Sequence, residues 1–297
     1  MTMTSSKPRI GFIGLGLMGQ AFTRRLVACG YDVIGFDVLP NQIAAAGKHG
    51  VKAANSPADV ARNSDIIQFS VTTDRNLEQA IFGPDGVLSA DRKAQIILDH
   101  STVSAASTRH LAERVASEAG MAWIDAPVSG GPPGAEGGTL AIMVGGERGV
   151  IDQVAPLLGN LGKWTHMGPI GAGQVTKMVN QIIVLTNFCI LAEALSIAEA
   201  AGVDAAKIPE ALGGGYAGST LLERIYPRML ARDFSPASVP TVALKDLKMV
   251  SELAALVNVP TPMSGQAEAL FRLLVSKGHA GLDQSAVLKI FDPKETL

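Results

Sequence analysis

Arg9-Ile-Gly-Phe-Ile13-Gly14-Leu15-Gly16-Leu17-Met18-Gly19 runs from an apolar segment straight into three spaced glycines. Arg9 to Ile13 reads as a parallel strand buried on both faces. A helix is expected from Gln20 to Cys29, stopped by Gly30. Asp32 to Phe36 reads as a second strand, with Asp37 at its end. The unit is strand, turn, helix and strand, with an acid 18 residues beyond the last glycine. Each position has a physical task. Gly14 permits the tight turn, Gly16 lets the backbone approach a pyrophosphate, and Gly19 lets helix and strand pack closely. The free N–H groups of the helix N-terminus face the phosphates. The Asp37 carboxylate accepts from the ribose hydroxyls of the adenosine. A lone Gly-x-Gly-x-x-Gly is weak, but here strand, helix, second strand and acid all fall in place. The loop Gly14, Leu15, Gly16, Leu17, Met18 and Gly19 is therefore assigned to a dinucleotide. Asp37 would repel a 2′-phosphate, and Val38, Leu39 and Pro40 bring no positive charge. NAD is the preferred cofactor, with NADP as the alternative.

The alternation continues downstream. Strands are expected at Asp65–Val71, Gln95–Asp99, Ala122–Ala126 and Leu140–Val144, with shorter ones at Gly50–Ala53 and Lys163–Met167. Helices are expected at Ser56–Asn63, Asp74–Phe82, Ser104–Ala119 and Ile151–Leu158. Ser56 and Ser104 are N-cap residues, and Pro57 sits at the first helical position. In an open parallel sheet, ligands bind outside the carboxyl ends of the strands. Three polar loops fall at such ends: Gly14–Gly19, Ser101-Thr102 and Ser129-Gly130-Gly131. Ser101 and Thr102 fit simple helix capping as well as a ligand contact. Ser129 beside two glycine N–H groups fits either a turn or a small anion nest.

Beyond Ala201 no strand pattern appears. Helices are expected at Ala205–Leu212, Ser219–Ala231 with a kink near Pro227, Val242–Leu256, Gly265–Lys277 and Gln284–Phe291. The fold class is thus an α/β Rossmann-like N-terminal domain over 1–168 and an all-α C-terminal domain over 169–297, joined by a long helix. The length of 297 residues allows two such domains, and 47% apolar with 5% aromatic residues suits an aliphatic core.

The formal charge of −2 and the lack of a basic run give no nucleic-acid surface. Cys29 and Cys189 lie in helices of different halves and read as reduced thiols. Met1 to Lys7 is short and polar, unlike a signal peptide. Ile182 to Ala198 is interrupted by Asn187, Glu193 and Ser196, and reads as a core helix rather than a membrane span. The expected location is cytoplasmic, with neither membrane nor nucleic acid as partner.

The joint between the halves is Gly168-Pro-Ile-Gly171-Ala-Gly173-Gln-Val-Thr-Lys177-Met-Val-Asn180-Gln181. Its glycines form a loop or a helix entry. Gln174 to Ala201 then reads as one long apolar helix. Lys177 and Asn180 are three apart and share a face near its start. A lysine taken at random is a solvated side chain; a lysine and an amide at a domain joint are where a reacting group would be held.

Four stretches resemble the β-hydroxyacid dehydrogenases of the 3-hydroxyisobutyrate dehydrogenase and tartronate semialdehyde reductase type. They are GFIGLGLMG at Gly11–Gly19, DAPVSGG at Asp125–Gly131, GxxGxGxxxKxxN at Gly168–Asn180, and KDL at Lys245–Leu247. The likeness spans roughly Arg9 to Phe291. It implies a homodimer or homotetramer acting on a small carboxylate substrate, with no metal. It also implies roles. Ser129, Gly130 and Gly131 hold the substrate carboxylate, and Lys177 is the proton donor or acceptor. Asn180, with Gln181 as a second candidate, contacts the substrate. Thr102, Lys245 and the Val71-Thr72 loop lie beside the cofactor. Two departures stand out. Val71-Thr72 replaces the Leu-Pro of many members, which loosens the assignment of that loop. Ser238 stands where many carry phenylalanine, which implies a roomier or more polar pocket.

The expected reaction moves a hydride between the nicotinamide and the carbon bearing the hydroxyl, interconverting a 3-hydroxy acid with its semialdehyde or 3-oxo acid. A lysine ordinarily titrates at about 10.4, so desolvation, and Lys245 if close, would be needed to make it a base. Rival readings are an imine or other carbonyl reductase on the same fold, and a non-catalytic dinucleotide-binding protein. The intact Ser129, Lys177 and Asn180 argue against the last.

Overall fold

The computed structural model describes residues 7–91 and 94–292. They divide into two compact units that meet between Lys177 and Met178. The helix Ala172–Ala200 is continuous through that division.

In the first unit, nine strands form one sheet. They are β1 (Ile10–Ile13), β2 (Val33–Phe36), β3 (Lys52–Ala53), β4 (Ile66–Phe69), β5 (Ile96–Asp99), β6 (Ala122–Asp125), β7 (Val128–Ser129), β8 (Leu140–Gly145) and β9 (Gly162–Gly168). The order is β3-β2-β1-β4-β5-β6-β8-β7, with β9 on β8. β1 through β6 are parallel, in register Ile10↔Val33, Ile10↔Ile66, Ile66↔Ile96 and Ile96↔Ala122. Successive residues feed opposite faces, because the side-chain period of a strand is two. Phe12, Ile66, Ile96 and Leu98 enter one apolar layer with Phe22 and Leu26. Ile13, Ile67, Phe69 and Ile97 enter the other with Leu111 and Val115. Covering both faces is what a parallel sheet requires. The strand order reverses between β1 and β4, so the crevice for a ligand opens at their carboxyl ends.

Three features of this unit depart from the sequence reading. The sheet is not purely parallel: β8 runs antiparallel to both β6 and β7. A helix at Pro40–Gly47 begins on Pro40 at a position that tolerates its missing N–H. A second helix, Gly131–Gly137, forms from GPPGAEG, a poor helix sequence by propensity. Packing decides there, since Gly134 and Ala135 are buried, and a Cβ on Gly134 would lie 3.1 Å from Leu140. The expected caps are present: Ser56 accepts from Asp59 N–H, and Ser104 from Ser107 N–H.

The second unit is helical. Leu185, Phe188, Ala192 and Leu195 form one face of the long helix and pack with Tyr226, Met229, Leu247, Phe271, Leu274 and Leu288. The opposite side leaves Ile183, Ile190 and Ile197 exposed. The long helix is the one element among the described residues with the length and hydropathy of a membrane span; 44% of its most apolar window is buried in the protein. Ser219–Ala231 is not one kinked helix but two, Thr220–Arg224 and Tyr226–Leu230, because Pro227 offers no N–H to Glu223. The helix from Pro262 ends at Leu274, in a widened turn over Val275–His279 where Gly278 takes φ 86°. The last segment, Gln284–Ile290, is a tighter 3-10 helix capped by Asp283.

Candidate active site

The glycine loop joins β1 to the helix Leu17–Ala28. Its three glycines differ in what they exclude. A Cβ on Gly14 (φ 94°) would fall 2.3 Å from the Ser70 carbonyl oxygen, and one on Gly19 would fall 2.0 Å from the Gly14 carbonyl oxygen. A Cβ on Gly16 would meet nothing within 4 Å. The fold therefore demands glycine at Gly14 and Gly19, whereas Gly16 borders open space. No side chain caps the helix that starts there, which leaves its first N–H groups for an anion. These features fit a dinucleotide pyrophosphate. Leu15 is fully buried in the core and offers only backbone, while Leu17 is 66% exposed. Met18 is half-buried against the core. Asp37 Oδ2 accepts from Leu15 N–H at 2.7 Å and Oδ1 from Leu39 N–H at 2.9 Å. The acid thus braces the loop, and each oxygen retains a further lone pair.

The neighbouring strand ends are tied together. Val71 N–H donates to Ser101 Oγ at 3.0 Å, so Ser101 holds the loop after β4, and the capping role falls to Ser104. Thr72 is exposed and Thr102 half-buried. Below them lies a buried polar layer. Asp99 Oδ1 accepts from Ser101 N–H at 2.9 Å. Burial pushes the Asp99 carboxyl up to about 7 and the His100 imidazole down to about 4. His100 Nδ1 lies 2.8 Å from the Ala126 carbonyl oxygen.

Ser129 lies in β7 opposite Ala141. Gly130 and Gly131 take φ of 130° and 63°, conformations that L side chains rarely adopt. Lys177 is only 8% exposed, and its Nζ donates to the Val128 carbonyl oxygen at 2.7 Å. The lysine tip therefore sits one residue from Ser129. The start of the lysine's helix is held by Asp125, wholly buried at the end of β6. Its Oδ1 accepts from Gly171 N–H at 2.7 Å and its Oδ2 from Gln174 N–H at 3.0 Å. Burial raises the Asp125 pKa against the opposing pull of these donors. Gln174 Nε2 donates to the Ser101 carbonyl at 2.8 Å.

In the second unit, Asn180 Nδ2 donates to Gln181 Oε1 at 2.8 Å, and Gln181 Nε2 donates to Asp246 Oδ2. Lys245 Nζ forms an ion pair with Asp246 Oδ1 at 3.0 Å. Asp246, 2% exposed, thus organises Gln181, Asn180 and Lys245. Asp125, Gln174 and Asp246 lie inside the quoted motifs but carry no assigned role in the sequence, and Ser101, expected there as a helix cap or ligand contact, instead holds the loop after β4. Among the described residues no cluster of His, Cys, Asp and Glu could hold a metal.

Comparison with known proteins adds a second line of observation. Residues 9–177 match the family model described as the NAD binding domain of 6-phosphogluconate dehydrogenase. Residues 171–291 match the one described as the NAD-binding of NADP-dependent 3-hydroxyisobutyrate dehydrogenase. The chain is 37% identical to 2-(hydroxymethyl)glutarate dehydrogenase of Eubacterium barkeri, over 96% of this chain and 95% of that protein. It is 36% identical to 2-hydroxy-3-oxopropionate reductase of Escherichia coli strain K12, over 96% and 97% of the two chains. The structure of Mycobacterium tuberculosis 3-hydroxyisobutyrate dehydrogenase with L-serine superposes with a TM-score of 0.82 at 30% identity, covering 96% and 99% of the two chains.

Proposed function

We propose a specific reaction for this chain, which belongs to the β-hydroxyacid dehydrogenase family and is an NAD(P)-dependent oxidoreductase of hydroxy acids. The reading is the interconversion of a small 3-hydroxy acid with its semialdehyde or 3-oxo acid, with Lys177 as general base in oxidation and general acid in reduction. The observation that carries it is the contact of the buried Lys177 Nζ with the Val128 carbonyl, next to Ser129. That contact joins the lysine motif to the serine–glycine motif.

The loop Gly14–Gly19, Asp37, the Val71-Thr72 and Thr102 strand ends, and Lys245 are the proposed cofactor residues. When bound, the nicotinamide supplies the hydride acceptor in oxidation and the hydride donor in reduction. The chain's own residues manage the substrate. Ser129 Oγ donates to the substrate carboxylate, joined by the Gly130 and Gly131 N–H groups. This fixes the carbon that exchanges hydride, and orientation of that kind lowers the barrier without new chemistry. The Val128 carbonyl accepts one N–H of Lys177 and so aims the amine. In oxidation the substrate O–H proton passes to Nζ as the C–H bond gives up its hydride; in reduction Nζ returns it. Asn180 and Gln181, coupled to each other and to Asp246, are the further proposed substrate contacts.

The E. barkeri and E. coli relatives are named for 2-(hydroxymethyl)glutarate and 2-hydroxy-3-oxopropionate, and the M. tuberculosis structure carries L-serine in its name; each of these acids bears oxygen on a carbon beta to a carboxylate. The substrate panel is therefore 3-hydroxyisobutyrate, glycerate, 3-hydroxypropionate, L-serine, threonate and 2-(hydroxymethyl)glutarate, each with NAD and with NADP. On the best acid, Lys177→Ala is expected to lose roughly 10²–10⁴-fold in turnover, the worth of a positioned acid or base. NAD affinity should stay as in the wild type. Lys177→Arg should fail as well, because guanidinium keeps its proton. Near-wild-type turnover in Lys177→Ala, with chemistry rate-limiting, would remove the assignment.

A further inference from the structure

Two glycines lie against the Asp125 carboxylate. A Cβ on Gly145 would lie 2.6 Å from its Oδ1, and a Cβ on Gly173 would lie 2.7 Å from its Oδ2 and 2.4 Å from the Met143 carbonyl oxygen. Two glycines, one ending β8 and one opening the long helix, thus form a socket that only a glycine pair leaves open. Inside it, the carboxylate receives Gly171 N–H and Gln174 N–H, two donors a helix start otherwise leaves unpaired. Gln174 locks the same turn from another side, with Nε2 on the Ser101 carbonyl and Oε1 accepting from Val103 N–H at 3.3 Å. Lys177 follows Gln174 by three residues and Gly173 by four, so it stands directly one turn above this anchor. Three residues beyond Asp125, the Val128 carbonyl holds the other end of the same lysine.

We propose that Asp125 is a positioning residue for Lys177, fixing the backbone of the lysine's helix while the following strand fixes its amine. The inference rests on the acid–base reading of Lys177. Its content is that the β6–β7 segment grips the lysine at root and tip. Loss of the root lets the helix start drift, and the amine then leaves the position where it meets the substrate hydroxyl. Geometry of this kind is worth large factors in rate even for small displacements. Gln174 serves the same end through the Ser101 loop.

The test is a double-mutant cycle in the full-length enzyme. Asp125→Asn keeps the shape but provides one acceptor oxygen and puts an N–H group against the second helix donor. It is expected to lower kcat about 10–100-fold on the best acid of the panel, with NAD dissociation constant within about 2-fold of wild type. In a Lys177→Ala background, the same substitution should lower single-turnover rate by less than about 2-fold, because there is no lysine left to misplace. Groups that act as one unit show such non-additivity. Gln174→Met, which leaves Asp125 and its socket intact, should show the same pattern with a smaller loss, and it decides the matter if Asp125→Asn does not fold. Equal losses in both backgrounds would mean a general structural role and overturn the inference. So would an unchanged kcat in the Asp125 variant. Failure of the acid–base reading appears elsewhere, as near-wild-type turnover in the Lys177→Ala single variant, and takes the inference with it.

Discussion

Asp99 and His100 are consecutive, buried and shifted in opposite directions, and their substitution makes a quantitative prediction about stability. Asp99 is 0% exposed and His100 4%. The Asp99 carboxyl is raised from 3.8 to about 7, chiefly by burial, with Asp125 and Asp74 adding like charge. Oδ2 finds no hydrogen-bond partner among the described residues. The folded state therefore favours the protonated acid. That contribution is complete below the unfolded value and is lost as pH rises through about 7; at 1.36 kcal/mol per pH unit the loss is about 4 kcal/mol. His100 is lowered from 6.5 to about 4 by burial, so the folded state favours the neutral ring. Its contribution is present above 6.5 and is lost as pH falls through about 4, a change of about 3 kcal/mol. The two nearly cancel on the acid side, and only the carboxyl term remains on the alkaline side. Asp99→Asn keeps the acceptor for Ser101 N–H and removes the titration. The unfolding free energy of the ligand-free protein, taken from urea titrations between pH 4.5 and 8 at fixed ionic strength, should then rise by about 3 kcal/mol toward pH 6.5 in the variant. Above that pH the variant should fall less than the wild type, because the Asp99 titration is gone. Superimposable profiles for variant and wild type would refute the assignment of a neutral buried carboxyl.

Two further outcomes test the site. Asp37, which braces the loop through Leu15 N–H, should make NAD the better cofactor, and Asp37→Asn with Val38→Arg should move the preference toward NADP; equal or better wild-type kcat/KM with NADP would sink the role given to Asp37. Ser129→Ala should weaken acid substrates by about 1.5–3 kcal/mol, the worth of a charge-assisted hydrogen bond, and leave the NAD dissociation constant unchanged. Loss of NAD with retained substrate affinity would instead move Ser129 to the cofactor side.

Local signals made much of this molecule legible, and the residues show where they stop. Gly14 and Gly19 were readable because a turn with a close helix has one chemical solution, and the structure places carbonyl oxygens where their Cβ atoms would be. Ser56 and Ser104 were readable because a cap acts three residues away. Pro40 carried a usable signal at the first helical position, overshadowed by the apolar Val38-Leu39 before it. In GPPGAEG the first-turn prolines are outweighed by three glycines, and the helix is held by burial of Gly134 and Ala135. Asp125 marks the limit of such reading. Its donors lie 46 and 49 residues downstream, and its socket is completed by Gly145 on a strand that runs the other way. The DAPVSGG motif marks Asp125 in the sequence, but nothing within a turn of it shows that its carboxylate turns toward a helix start. A carboxylate buried between two glycines and aimed at a helix start becomes visible only when β6, β8 and that helix are brought together, and the same packing explains why Gly173 belongs to the lysine's motif although no turn requires it.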